Sequence, residues 1–173
     1  MKRMIVVSVF LLVLLVPLVA QSTDTAPQSA PPGALKPYAV EVNLLGVLQF
    51  GPYVRFHIQV GDNLFISPHV RIGYAGALDW LLFGLGDVGA GTSILVFLPS
   101  ESPNRLYAGS FTEIAVNSNG DFVTNLGANV GYRWRFPGGH YWHTGVIAGI
   151  SYNFTRDFLF PFGMFELSWG LEF

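Results

Sequence analysis

The sequence predicts an all-β protein: an eight-stranded antiparallel up-and-down β-barrel that crosses a membrane with its strands. Three observations predict this fold. Apolar and polar residues alternate along most segments after residue 38, which is the two-residue period of a β-strand. Hydrophobic residues make up 51% of the chain and charged residues 12%, well below the roughly 25% of soluble domains. After the N-terminal apolar run, no segment has the roughly 18 consecutive apolar residues of a membrane-spanning helix.

Residues 1–22 have the organisation of a cleaved export signal. Lys2 and Arg3 form its positively charged n-region. The apolar run that begins at Ile5 is too short for a membrane helix, which needs about 20 residues. Ala20 and Ser22 are small residues that suit signal peptidase, so we expect cleavage after one of them. The sequence has no cysteine, which excludes a lipid-modified N-terminus, disulfides and thiolate metal sites.

The rest of the sequence divides into a leader and one domain. Residues 23–37 are polar and proline-rich, and we expect them to form a disordered periplasmic tail. Residues 38–173 are enough for a single domain, the barrel. Alternation and turn-forming residues predict strands at approximately 39–49, 53–60, 64–74, 85–98, 105–117, 122–136, 141–154 and 163–173. The connections at 61–63, 99–104 and 137–140 are short, as periplasmic turns of membrane barrels are.

The second, sixth and seventh strands show the alternation most clearly. The second places Val54 and Phe56 on one face and Arg55 and His57 on the other, and the sixth and seventh continue the pattern over longer stretches. The fourth is rich in glycine, which suggests close packing or curvature of the wall. Aromatic residues gather in two belts at the strand ends, as expected at membrane interfaces. The belts are Trp134, Phe136, Trp142 and Phe173 at the periplasmic end, and Tyr74, Tyr152, Phe154 and Phe165 at the other.

The last nine residues alternate large apolar side chains with small or acidic ones and stop on an aromatic residue. The apolar set is Phe165, Leu167, Trp169, Leu171 and Phe173. This tail resembles the closing strand of bacterial outer-membrane barrels. The whole predicted domain resembles the small eight-stranded family that includes the OmpA transmembrane domain and OmpX. The resemblance implies that the tail is an assembly signal read by the outer-membrane assembly machinery, and that the barrel is surrounded by outer-membrane lipid.

The inward-facing positions of the predicted strands carry most of the charged residues. A barrel of eight strands is just wide enough for side chains to fill it, and a charge in such an interior is tolerable only when paired. We therefore expect an interior polar network, with Arg71 paired to Asp87 across the hairpin of the third and fourth strands. The predicted network comprises Glu41, Arg55, His57, His69, Arg71, Asp87, Glu113, Arg133, Arg135, His143 and Glu166, with Glu172 also facing inward.

Two other functions stay open at this point, a lipid-modifying enzyme and a narrow small-solute channel. The outer-membrane lipid A deacylases use a His, Ser and Glu set, but His143 and Ser151 lie eight residues apart on one strand, roughly 26 Å, and cannot form a pair. His57 is expected opposite Ser67, yet its expected neighbour on the first strand is Asn43, not a carboxylate, and a catalytic base needs a third group to orient it. The sequence therefore predicts no catalytic residues.

Ligand-binding signals are weak along the whole sequence. The histidines are not spaced as metal ligands, and no phosphate-binding loop precedes a helix, so we expect no metal and no cofactor. The net charge of −2 gives no basic patch, so we expect no nucleic-acid partner. Apolar segments at 75–84 and 155–162 either cover the mouth of the barrel, extend its strands or bind an apolar partner. The sequence favours a non-catalytic structural or interaction protein of the outer membrane.

Overall fold

The computed structural model describes residues 35–49, 51–73 and 87–173. They form a closed barrel of eight antiparallel strands in which each strand pairs with its neighbours in sequence and the first pairs with the last. The predicted all-β, eight-stranded up-and-down barrel is confirmed. Its strands are β1 (Tyr38–Asn43), β2 (Tyr53–Gly61), β3 (Leu64–Ile72), β4 (Asp87–Phe97), β5 (Arg105–Asn117), β6 (Phe122–Arg135), β7 (His140–Asn153) and β8 (Phe158–Glu172). Within these described ranges, no helix is long and apolar enough to cross a membrane.

The two ends of the barrel differ. At one end, which we call the turn end, short connections join β2 to β3, β4 to β5 and β6 to β7. Gly138 and Gly139 both adopt a positive φ in the last of these turns, a conformation that favours glycine. At the opposite end, which we call the loop end, β1 is joined to β2, β3 to β4, β5 to β6 and β7 to β8. Residues 74–86, which include Tyr74 and the apolar segment 75–84, lie outside the described residues.

The boundaries of β1 and β8 differ from the sequence prediction. β1 ends at Asn43 instead of residue 49, because the Asn43 side-chain oxygen accepts the N–H of Gly46 at 3.0 Å and so starts the short 3-10 helix Leu45–Leu48. β8 begins at Phe158, five residues before the predicted start. The apolar segment 155–162 is therefore in large part an extension of a strand.

The wall is apolar outside and polar inside. Along the described strands, no Asp, Glu, Lys or Arg belongs to the outward-facing set, while the inward set contains most of the buried charged residues. Large apolar residues cover the outer face from end to end. Exposed examples are Val54, Val70, Val88, Ile94, Leu106, Leu126, Val130, Val146, Ile150, Phe165 and Trp169.

Glycines on the inner wall make room for large interior rings. A Cβ placed on Gly131 or Gly145 would overlap the hydroxyl of Tyr107, and one on Gly170 would overlap the ring of Tyr141. Both tyrosines are almost fully buried and lie across the barrel interior. The glycines of the wall and the aromatic residues of the interior are thus complementary in shape.

We expect Gly149→Ala to destabilise the barrel by about 1–3 kcal/mol, the usual cost of overpacking. A Cβ at Gly149 would lie 2.5 Å from the Cα of Gly127 on the adjacent strand, and backbone atoms cannot give way. The matched control is Gly163→Ala on β8, where the new Cβ would lie at an ordinary 3.8 Å from the Ile147 carbonyl. Urea unfolding of both variants measures the difference, and equal midpoints would contradict the prediction.

Candidate functional site: the charged interior

The interior holds three clusters of charged side chains stacked along the barrel. Each cluster is centred on carboxylates that several donors share. The turn-end cluster is Arg105, Arg133, Arg135 and Glu172; the central cluster is Glu41, Arg55, His57, His143 and Glu166; the loop-end cluster is His69, Arg71, Asp87 and Glu113. All eleven residues of the predicted interior network thus lie inside the barrel, and their pairing follows the three levels.

Glu41 is the most heavily shared acceptor of the central cluster. Its Oε1 accepts Arg55 Nη1 at 3.0 Å. Its Oε2 lies 2.8 Å from His143 Nδ1, 3.0 Å from His57 Nε2 and 3.2 Å from the hydroxyl of Tyr141. Arg55 and His57 belong to β2, and Tyr141 and His143 belong to β7, which is separated from β1 by β8. The Glu41 carboxylate therefore connects β2 and β7, two strands that do not pair with each other.

Glu166 is the second acceptor of the central cluster. Its Oε1 accepts Arg55 Nη2 at 2.7 Å and also the hydroxyl of Tyr53, while its Oε2 accepts the hydroxyl of Tyr107 at 2.9 Å. Arg55 therefore bridges Glu41 and Glu166 with its two Nη groups. This arrangement suits the planar fork of a guanidinium, and it satisfies charges that would otherwise be costly at this depth.

The expectation that His57 lacks a carboxylate neighbour is wrong. We expected Asn43 beside it, but the register pairs His57 with Ala39, and Glu41, one inward position further along β1, reaches its ring. On the other side, His57 Nδ1 lies 2.8 Å from Ser67 Oγ. The tautomer with its proton on Nε2 points that proton at Glu41 and leaves Nδ1 to accept from the Ser67 hydroxyl. The order serine, histidine, carboxylate is that of a nucleophile with its base and orienting acid.

Burial limits what this set can do. The Ser67, His57 and Glu41 side chains are all fully enclosed by the barrel and by the layers of side chains above and below. A nucleophile must touch the reacting atom of its substrate, and Ser67 has no exposed surface to do so. His143 and Ser151 lie apart, as the sequence predicted: His143 contacts Glu41 in the central cluster, whereas Ser151 donates to Asn125 near the loop end.

Glu41, His57 and His143 are also the one group of possible metal ligands found among the described residues, with ligand atoms within 4.8 Å of one another. Two histidines and a carboxylate are a donor set that transition metals accept. However, Arg55 already binds this carboxylate, and Arg133 Nη2 lies 3.5 Å from His57 Nε2. Two guanidinium charges so close oppose a metal cation, so hydrogen bonding explains this cluster better.

The Arg71–Asp87 pair predicted at the loop end is present and bidentate, but the register expected for it is wrong by two residues. Arg71 lies opposite Gly89, and Asp87 is one inward position further along β4. Arg71 Nη1 and Nη2 lie 2.8 and 2.7 Å from the two oxygens of Asp87. The sequence missed a second partner: Arg71 Nε and Nη2 also bind Glu113, at 3.0 and 2.8 Å. Asn125 donates to Glu113 at 2.8 Å. His69 Nε2 approaches the same carboxylate at 3.5 Å, which is within ion-pair range but too long for a good hydrogen bond.

Glu172 organises the turn-end cluster. Arg135 Nη2 lies 2.6 Å from its Oε2, and Arg133 Nη1 lies 3.3 Å from its Oε1. Arg133 also stacks over the rings of Phe97 and Tyr141, at 4.4 and 4.2 Å from their centroids, which stabilises a buried guanidinium. Arg105, which we did not assign to the network, is a fifth inward-facing arginine. The inward positions of the described strands thus hold five arginines against five carboxylates.

The mouth at the loop end is bordered by a hydrogen-bonded turn between β5 and β6. Asp121 Oδ2 accepts Arg156 Nε at 2.8 Å, Asn117 Nδ2 at 3.1 Å and Asn153 Nδ2 at 3.4 Å. These contacts link the β5–β6 turn to the β7–β8 turn. Below them a cavity of about 540 Å³ opens to the loop end, with Arg71, Asp87 and Asn125 in its floor and phenylalanines of β8 in its wall.

We expect the Asp121 carboxyl to titrate below the ordinary aspartate value of about 3.9. The hydrogen bond from Asn117, aided by Asn153 and Arg156, stabilises the charged form and lowers its pKa. Because the folded pKa is the lower one, this turn stabilises the protein above the unfolded pKa, and the contribution disappears as pH falls through the folded pKa. NMR titration of the carboxyl carbon measures the midpoint. Asn117→Ala should move it back toward 3.9, and an unchanged midpoint would contradict the assignment.

The tail residues Phe165, Leu167, Trp169, Leu171 and Phe173 all lie on the outer face at the end of the chain. Phe173 packs beside Tyr38 and Phe56, with ring centroids 6.2 Å from each, where β8 meets β1. No protein-family model, curated protein or solved structure matches this sequence.

Proposed function

We propose that this chain is an integral β-barrel of a bacterial outer membrane, with a structural or interaction role and no catalytic one. The observation that carries the proposal is the inverted distribution of polarity. Charged residues are inside and large apolar residues are outside, the reverse of a soluble protein. Burial of charge and exposure of apolar surface are favourable together only when the surrounding medium is itself apolar.

The aromatic residues of the outer face support a position across a lipid layer. Trp134, Trp142 and Trp169 lie near the turn end, and Phe154 at the loop end packs against Tyr152 and Phe122. Phe165, which we expected in the loop-end belt, instead lies level with Val146 and Val130 in the middle of the wall. Two such belts suit the headgroup regions of a membrane. The export signal expected at residues 1–22 and the likeness to OmpA-type and OmpX-type barrels favour the outer membrane, with the assembly machinery as a partner during biogenesis.

The test of membrane placement is Val130→Arg near the middle of β6. Val130 is 55% exposed on the outer face. In a bilayer, an arginine there should cost about 2–4 kcal/mol, whereas in a water-exposed wall it should cost almost nothing. The matched control is Ser118→Arg in the exposed β5–β6 turn. Urea unfolding in lipid vesicles measures both, and a Val130→Arg variant as stable as the Ser118→Arg variant would overturn the proposal.

A filled interior argues against the channel alternative. Arg55, Arg133, Tyr53, Tyr107 and Tyr141 are large and fully buried, and they lie across the barrel at its centre and turn end. An eight-stranded barrel has no room for both these side chains and a water column. We expect planar-bilayer recordings to show little steady conductance. Stable open-channel currents from the purified protein would favour the channel instead.

The Ser67–His57–Glu41 geometry is the observation that favours a lipid-modifying hydrolase as a second candidate. An active-site serine should react with a fluorophosphonate probe, and Ser67→Ala should abolish that labelling. Because Ser67 is fully buried, we expect the folded protein to resist labelling while a known serine hydrolase in the same sample is labelled. Labelling of wild type that is lost in Ser67→Ala would make the hydrolase the better proposal.

A further inference from the structure

β8 extends beyond the strand that should flank it. Its last pair with β1 joins Ser168 to Asn43, whereas β7 pairs with it along its whole length. Near this point the Phe165 N–H donates to the Gln49 side chain at 2.8 Å. The backbone N–H and C=O groups of every second residue in a strand point to the same edge. The backbone of Pro161, four residues before Phe165, therefore faces the same edge as the Phe165 N–H, and no described strand pairs with it there. Proline has no N–H, which suits an unpaired sheet edge.

The cavity of about 540 Å³ lies behind this unpaired edge. Its apolar wall is the inward face of the β8 extension, Phe158, Phe160 and Phe162. The rings of Phe158 and Phe160 stack with centroids 5.8 Å apart, and Phe162 stacks on Phe111 at the same distance, so the apolar surface continues into the barrel. Small-molecule sites typically have about 300–1,000 Å³ and a mostly apolar lining with few polar groups.

The charged groups around the cavity differ in how far they are exposed. In the floor, both oxygens of Asp87 bind Arg71, whose Nε and Nη2 also bind Glu113. At the rim, Arg156 binds Asp121 through Nε and its side chain stays 60% exposed. An incoming ligand therefore meets a floor with two carboxylates and one guanidinium, an aromatic wall, and a second guanidinium at the opening. The excess negative charge of the floor repels an anionic head, so the site suits an apolar chain whose anionic head stays at the rim.

We propose that this cavity holds one hydrocarbon chain of an anionic amphiphile, either a fatty acid or one acyl chain of an anionic phospholipid, with its head at Arg156. The chain enters from the bilayer over the unpaired edge of β8. Leu159 and Phe165 are exposed and apolar on the outer side of this edge, so a chain can pass from lipid to cavity without crossing water. This inference rests on the proposed membrane placement.

Tryptophan quenching in lipid vesicles tests the proposal. Phe160→Trp puts a reporter in the cavity, and Leu159→Trp puts one at nearly the same height on the outer face. The probes are dibromostearate and phosphatidylglycerol with one dibrominated chain, because bromine quenches at short range. We expect both probes to quench Leu159→Trp, and at least one to quench Phe160→Trp beyond the wild-type background. Which probe acts identifies the free or the esterified chain as the occupant.

Two further variants separate occupancy from quenching through the wall. Val123→Phe fills the cavity from β6 and should remove the Phe160→Trp quenching while leaving that of Leu159→Trp. Arg156→Gln should raise the half-quenching probe concentration roughly tenfold. Quenching of Phe160→Trp that is absent, or that survives Val123→Phe, overturns the cavity proposal, and an unchanged Arg156→Gln value overturns the head-group assignment. If brominated phospholipid fails to quench Leu159→Trp, the membrane placement itself is wrong.

Discussion

Glu41→Ala is expected to destabilise the barrel by about 3–5 kcal/mol, the usual cost of leaving buried charges and donors without their partner. The substitution removes an acceptor that Arg55, His57, His143 and Tyr141 share. Water cannot easily replace it, because all of these side chains are buried. Urea unfolding in detergent micelles, followed by fluorescence of the native tryptophans, measures the loss.

The control for Glu41→Ala is Glu101→Ala in the exposed β4–β5 turn, which should change stability by less than about 0.5 kcal/mol. A conservative variant, Glu41→Gln, keeps one acceptor oxygen but brings an amide N–H₂ toward groups that are themselves donors. It should recover only part of the loss. Equal stability of Glu41→Ala and Glu101→Ala would show that the central cluster contributes little to folding.

Arg71→Met is the second substitution with a large expected effect, again about 3–5 kcal/mol or more. It leaves two carboxylates, Asp87 and Glu113, facing each other without their shared cation. A variant that also neutralises Asp87 alone should recover little, because Glu113 remains charged and fully buried. The triple variant Arg71→Met, Asp87→Asn, Glu113→Gln should recover most of the loss.

The control for the Arg71 series is Asp62→Ala in the exposed β2–β3 turn, which should be nearly neutral. The double and triple variants distinguish a three-member cluster from the simple pair that the sequence predicted. If Arg71→Met with Asp87→Asn is already as stable as the triple variant, Glu113 does not depend on Arg71, and the pair alone describes the site.

The sequence predicted the barrel well because alternation is a local property that each strand carries by itself. A two-residue period fixes which residues face inward whatever the neighbouring strands do, so Arg55, His57 and Arg133 could be assigned to the interior in advance. The end of β1 could not be predicted in this way. It depends on the hydrogen bond between the Asn43 side chain and the Gly46 N–H, which the alternation of apolar and polar residues does not reveal.

Partners across the interior were the harder part of the prediction. Neighbours within one hairpin were predicted from the length of its loop. For Arg71 this gave the right partner, Asp87, from a register two residues off, because Arg71 lies opposite Gly89 and its long side chain reaches Asp87 diagonally. Glu113 lies one strand further away, and Glu41 reaches His143 on a strand that never pairs with β1. Such contacts depend on the stagger of the strands in the closed barrel and on how far each side chain extends across the interior. The spacing of residues along the chain predicts neither of them.

The short junction between β1 and β8 has a consequence for the order of folding. Five register pairs join these strands, compared with fourteen between β7 and β8, and they come from opposite ends of the described chain. The β1–β2 hairpin also has only five pairs, but its loop is short. The β1–β8 junction closes the longest loop for equally few pairs and so carries the largest entropy cost, and it should form after the sequential hairpins and separate before them. Substitutions there should speed unfolding and leave the folding rate almost unchanged, whereas substitutions in the β7–β8 hairpin should slow folding.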